Sequence, residues 1–168
     1  CDQWRVDSKL KQAFWQAQKA IHWHELLYTG TPVARWVVYF LCLCQRLSDD
    51  AMASVCDKLS VPQRWQDILV GERKRVMIAF HQLERDQKHL ATLKHSDLYR
   101  RLEGIGDEML LYAMARTGSD DVRLAISLYL TQLREVKPLL NGDDLIRLGF
   151  EPGPLIGDVL ARLRDARL

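Results

Sequence analysis

From Val122 to Val136 the apolar residues Val122, Ile126, Tyr129, Leu133 and Val136 return at steps of four, three, four and three. That rhythm lines one stripe of an α-helix. A β-strand would need apolar residues at every second position. Leu10, Phe14, Ala17, Ile21 and Leu27 keep helical spacing too, and no stretch shows convincing strand alternation. With 9 glycines and 5 prolines in 168 residues, the chain has few of the turn formers that an all-β sandwich requires. The expected fold class is therefore all-α, a multi-helix array or bundle of about eight to nine helices ending in a short helical hairpin.

Stop and start signals place the boundaries. A first helix is expected from about Ser8 to Tyr28, stopped by Gly30-Thr31-Pro32. A second starts near Pro32 and holds the longest apolar run, Trp36 to Cys44, which is far short of the roughly 20 residues of a membrane span. Ser48 caps a third, with Asp49 and Asp50 in its first turn. Pro62 opens a fourth segment running to about Leu93, bent or interrupted near Gly71. Ser96 is expected to cap a short helix to Leu102, and Asp107 to cap the next after Gly104-Ile105-Gly106. Another helix runs from Gly118-Ser119 to about Lys137. Asn141-Gly142 opens a very short helix ending at Gly149, and the last helix starts near Pro154 with Ile156, Val159, Leu160 and Leu163 inward.

Apolar residues make up 48% and charged residues 27%, which excludes a disordered chain, a collagen and a disulfide miniprotein. A net charge of +2 does not by itself announce a nucleic-acid binder. Cys1, Cys42, Cys44 and Cys56 form no C-x-x-C pair, so buried free thiols in a reducing, cytoplasmic setting are expected. Asp2, Arg5, Asp7, Lys9 and Lys11 interrupt the start where a signal peptide would be apolar. The first residue is Cys rather than Met, so the chain is expected to be a piece of a longer protein.

Chemistry is sparse. On a helix His22 and His24 point about 200° apart and cannot easily grip one metal, and a zinc-protease H-E-x-x-H would need His where Tyr28 stands. No P-loop, nucleophile elbow or dinucleotide glycine pattern is present. The acidic pairs Asp49-Asp50, Asp120-Asp121 and Asp143-Asp144 each fall in an expected first turn, where they complement the helix dipole. Gly118-Ser119-Asp120-Asp121 imitates a nucleotidyltransferase motif, but there the two Asp alternate on a strand. No catalytic residue and no metal ligand is assigned to this chain.

Charge is uneven. Residues 1–60 balance at +1, 61–103 at +3 and 104–168 at −2. On a helix over 72–93, Lys74, His81, Arg85 and Lys88 would fall within about 60° of one another, with Val76, Phe80, Leu83 and Leu90 on another face. Such a stripe can track a phosphate backbone, and it can equally be a solvated face. Arg100 and Arg101 follow nearby.

The run from Asn141 to Leu160 reads as a short helix, a tight Gly/Pro turn and a second helix. Gly149 suits a left-handed helix stop. Gly153 and Pro154 start the second helix, whose free N–H groups can meet an anion, and Gly157 would let the two helices approach closely.

In this run Gly142, Asp144, Leu145, Leu148, Gly149, Pro152, Gly153, Pro154, Ile156, Gly157 and Leu160 fit the pattern G-x-D-L-x-x-L-G-x-x-P-G-P-x-(I/L)-G-x-x-L. It resembles the C-terminal region of bacterial class II tRNA nucleotidyltransferases and the related poly(A) polymerases. The preceding Leu133 to Leu140 also looks like the segment leading into that motif, and the resemblance covers about residues 98–163. Trp36-Val37-Val38-Tyr39 is compatible with it.

The resemblance implies a helical body region over 1–95 and a C-terminal helical region over 96–168, with the catalytic head and neck absent from this chain. The parent would transfer nucleotides from ATP or CTP to an RNA 3′-hydroxyl with Mg²⁺. None of these cofactors is expected on this chain, which is expected to be inactive alone. Its implied partners are tRNA or other RNA and the parent's head and neck, with no membrane. Candidate RNA contacts are Lys74, Arg85, Lys88, Arg100, Arg101 and Arg147, with backbone amides near Gly149 and Gly153. Two other readings stay open: a helix-hairpin-helix module on duplex DNA, and a structural or oligomerisation module, which the five tryptophans suit.

Overall fold

The computed structural model of the chain describes residues 7–28, 30 and 32–168. All regular structure among them is helical: α1 (Ser8–Glu25), α2 (Arg35–Leu43), α3 (Asp49–Lys58), α4 (Gln63–Gln66), α5 (Arg73–Arg85), α6 (His95–Leu102), α7 (Asp107–Arg116), α8 (Asp120–Thr131), α9 (Gly142–Arg147) and α10 (Pro154–Asp165). Ten helices stand where about eight to nine were expected, because the Pro62–Leu93 segment divides. A π-helical stretch, Asp67–Glu72, joins α4 to α5 and contains Gly71, the expected point of interruption. After Arg85 the chain tightens into a 3-10 turn, Gln87–Thr92.

Two compact units result. The first comprises Cys1–Ala91 and Gly104–Ile126, the second Thr92–Glu103 and Ser127–Leu168.

The first unit is built round α7. Every residue from Met109 to Ala115 is buried, and the helix packs against α1, α2 and α5. A helix apolar on all sides belongs inside a protein, since no face can be given to water. Against it α1 presents Ala13, Ala17, Ala20 and Ile21, and α2 presents Val37, Val38, Leu41 and Cys42. The basic segment also reaches inward: Arg73 is buried, donates to Leu47 O at 2.6 Å and so ties α5 to the turn before α3.

Local chemistry explains several helix ends. Ser48 caps α3, its Oγ accepting from Ala51 N at 3.3 Å. Asp49-Asp50, Asp120-Asp121 and Asp143-Asp144 all lie in first turns. Several expected starts move. Pro32 stays outside α2, which begins at Arg35, and Ala34 N there donates to Glu108 Oε1 at 3.0 Å. Asp107 does not cap α7, because its carboxylate turns to His24 and Gly106 takes the cap position. Ser96 lies inside α6, whose cap residue is Lys94. The first helix ends at Glu25, three residues before Tyr28, which takes a positive φ of 50°. α8 ends at Thr131; Gln132 leaves helical geometry and a 3-10 turn, Leu133–Glu135, follows.

In the second unit α6 buries Leu98, Tyr99 and Leu102. Arg164 of α10 lies 4.2 Å over the Tyr99 ring and donates to Glu103 Oε1 at 2.7 Å, while Arg100 Nε donates to Asp165 Oδ2 at 3.1 Å. These contacts fasten α10 to α6. Ile156, Val159, Leu160 and Leu163 are half-buried, so α10 covers the unit rather than forming its core. Gly157 is not the point of close approach, since a side chain there would meet nothing within 4 Å; a Cβ added at Gly142 would lie 3.7 Å from Ile156.

Candidate functional site

Lys74 and Arg85 both project from α5, eleven residues and about 16 Å apart along the axis at 1.5 Å per residue. Eleven residues is close to three turns, so they share a face. His81 and Ile78 lie between them on that face, both exposed. Lys88 follows the end of the α-helix in the 3-10 turn, so its direction is set by that turn rather than by the α5 stripe. Lys74, Arg85 and Lys88 are exposed, and no carboxylate among the described residues pairs with any of them.

The other candidates are held differently. Arg100 pairs with Asp97 at 3.4 Å and with Asp165 at 3.1 Å. Arg101 is half-buried on α6 and has a partner of its own. Arg147 is 78% exposed and loosely paired with Asp144 at 3.4 Å.

The hairpin forms from its own residues. Asn141 accepts from Asp144 N at 2.9 Å while Asp144 accepts from Asn141 N at 3.0 Å, a reciprocal capping box. Gly149 ends α9 with φ +95°, a conformation that a side chain would strain. Its N–H donates to Ile146 O at 2.9 Å and Phe150 N donates to Leu145 O at 3.1 Å. Gly153 is extended and Pro154 opens α10 at its first turn. Lys74, Arg85 and Lys88 thus belong to the first unit, and Arg100, Arg101, Arg147, Gly149 and Gly153 to the second.

Among the described residues no three His, Cys, Asp or Glu side chains are grouped to hold a metal ion. His22 is exposed, whereas His24 is 2% exposed with Nε2 3.2 Å from Asp107 Oδ2. That pair joins the end of α1 to the start of α7. Cys42, Cys44 and Cys56 are free and buried. Burial pushes the Cys42 thiol up to about 12 and the Cys44 thiol up to about 11. Neither is activated as a nucleophile, which needs a lowered value. No helix among the described residues is long and apolar enough to cross a membrane.

A second concentration of positive charge was invisible in sequence. Lys9, Arg46, Arg116 and Arg123 line one groove of the first unit, though they come from three separate stretches of chain. Averages over consecutive residues cannot see such a cluster. The only local hint is Lys9, Gln12 and Gln16, which share a face of α1 at steps of three and four.

No family model matches the chain. It is 39% identical over 153 residues to the A-adding tRNA nucleotidyltransferase of Geobacter sulfurreducens, a match that takes in 91% of this chain and 17% of that protein. It is 33% identical over 63 residues to the A-adding tRNA nucleotidyltransferase of Halalkalibacterium halodurans, covering 38% of this chain and 14% of that one. In fold it is similar to the Thermotoga maritima CCA-adding enzyme complexed with tRNA, with TM-score 0.78 at 21% identity over 98% of this chain and 38% of that one. A tRNA-processing enzyme with CTP gives TM-score 0.73 at 18% identity, over 98% and 41%. The chain thus spans less than a fifth of the first sequence relative and about two fifths of the structural ones.

Proposed function

We propose that the chain, 39% identical over 153 residues to part of an A-adding tRNA nucleotidyltransferase, is the RNA-holding part of a protein of that family, positioning a tRNA whose 3′ end is extended elsewhere in the longer protein. The observation that carries this reading is the set of cations at α5 and the turn after it. Lys74, Arg85 and Lys88 are exposed and unmatched by carboxylates among the described residues, so they meet a phosphate without first breaking an ion pair. Arg100 and Arg147 already have acidic partners, and they rank behind the first three as contacts. Cations spread over about 16 Å suit a phosphate backbone better than a single phosphate group. Recognition by shape and backbone is the usual mode for double-stranded RNA arms.

Among the described residues, the acidic pairs do not fit the Mg²⁺ that nucleotide addition from ATP or CTP requires. The three acidic pairs open different helices, and adjacent residues of a helix diverge by about 100°. We assign those groups to the remainder of the longer protein.

Binding of the chain to a tRNA transcript at two salt concentrations, with duplex DNA as competitor, tests the reading. Selective, salt-sensitive binding to tRNA is expected. Replacing Lys74, Arg85 and Lys88 together with Ala should weaken binding and reduce the slope of log K against log salt by about 2 to 3. Unchanged affinity and slope would overturn the role of these cations, and preference for duplex DNA would overturn the assignment to tRNA.

A further inference from the structure

The groove of the first unit has a volume of about 520 Å³. The exposed side of α1 contributes Lys9, Gln12 and Gln16, the turn after α2 contributes Arg46, and the α7–α8 region contributes Arg116 and Arg123. Among the described residues no acidic and no aromatic side chain lines it.

The two flanking arginines differ in what they offer. Arg123 Nε donates to Met114 O at 3.3 Å and its Nη2 to Thr117 O at 2.6 Å, with Asp120 also on the guanidinium. Carbonyls at a helix C-terminus carry partial negative charge, which would repel an anion. Arg123 covers two carbonyls at this end of α7 and so removes that obstacle. Arg116 is held by soft partners instead: Met77 Sδ at 3.2 Å, Tyr112 OH at 3.4 Å and the face of Phe80 at 5.7 Å. These fix the guanidinium without neutralising it. Lys9 is exposed and has no acidic partner among the described residues. Arg46 is matched by Asp7, whose carboxyl that guanidinium holds below the usual carboxylate range, but the pair is exposed and such pairs are weak.

We propose that this groove takes a stretch of RNA phosphodiester backbone, with Lys9 and Arg116 contacting phosphates and the Gln12 and Gln16 amides meeting ribose or base edges. The inference rests on the RNA-holding reading above and adds a second contact surface to it, on different helices. Phosphate esters reach a protein as RNA or as free nucleotides. The groove favours the former, because a nucleotide site normally offers its base an apolar or aromatic slot and this one offers glutamines.

The test compares the unaltered chain with Lys9→Gln, with Lys9→Gln/Arg116→Gln and with Gln12→Glu, using a tRNA transcript at two salt concentrations and ATP as a separate probe. Lys9 has no structural partner to lose among the described residues, so Lys9→Gln reports on binding even where the Arg116 change weakens the fold. The double variant should bind tRNA several-fold to about tenfold more weakly, with a salt slope smaller by about 1.4 to 1.8. Gln12→Glu should weaken binding by repulsion, and ATP should not compete. If the unaltered chain does not bind tRNA, the RNA-holding reading fails and takes the groove with it. If it binds and all three variants match it, the groove assignment alone is overturned and α5 stands. Lys9-dependent binding of ATP with tRNA binding unaltered would make this a nucleotide site and overturn the RNA assignment.

Discussion

Cys42 sits on the inner side of α2, 1% exposed, and burial pushes its thiol from an ordinary value of 9.0 up to about 12. Cys44, also buried, is pushed up to about 11. The direction fixes a pH dependence. Between about pH 9 and 11 the unfolded thiols give up protons that the folded chain retains, so the native state binds more protons and stability falls as pH rises. Below about pH 9 both states hold the protons and no stability is lost. Burial also raises Tyr112, which adds a loss of the same sign at still higher pH. Urea midpoints measured from about pH 7 to pH 11 should therefore fall on the alkaline side, and Cys42→Ala should flatten that fall while lowering the neutral-pH midpoint. An alkaline slope identical with and without Cys42 would show that other groups cause it.

Among the elements, α9 is short enough that its ends decide whether it forms. Six residues lie far below the length at which a helix is stable alone, so the capping box of Asn141 with Asp144 and the positive φ of Gly149 carry unusual weight. Asn141→Ala should cost about 1 kcal/mol, and Gly149→Ala a similar amount from backbone strain, since the space beside Gly149 is open. Amide exchange at Leu145 and Leu148 should quicken by about tenfold for each 1.4 kcal/mol lost, while exchange at Leu111 in α7 should not change. These two ends were legible because capping is decided by residues three or four apart. The same reasoning failed for Asp107, whose partner His24 lies 83 residues away in sequence. It failed for Pro32 because Glu108 fixes the start of α2 from α7. That α7 is the centre of its unit was hidden for the same kind of reason. Its composition shows an apolar helix, but only its packing against α1, α2 and α5 shows that no face meets water.

For the whole molecule, charge shows how far a sequence speaks for a surface. A net charge of +2 is close to balance, and the basic average over 61–103 mixes Arg73, which is buried, with Lys74, which faces water. The α5 cations could be found from helical spacing, whereas the groove cations required the fold that brings α1 to α7. If one RNA engages both surfaces, their effects should add, because each removed cation releases its own share of condensed counterions. Lys74→Ala/Lys88→Ala combined with Lys9→Gln/Arg116→Gln takes the formal net charge from +2 to −2. The salt slope for tRNA should then fall by about 3 to 4, roughly the sum of the two pairs measured separately. Replacing the exposed Lys11, Lys58, Lys94 and Arg162 gives the same net charge and should leave most of the slope in place. Equal losses from both quadruple variants would mean that tRNA responds to total charge. A loss confined to the first would place the grip at α5 and the groove, because the two variants differ in where charge was removed and not in how much.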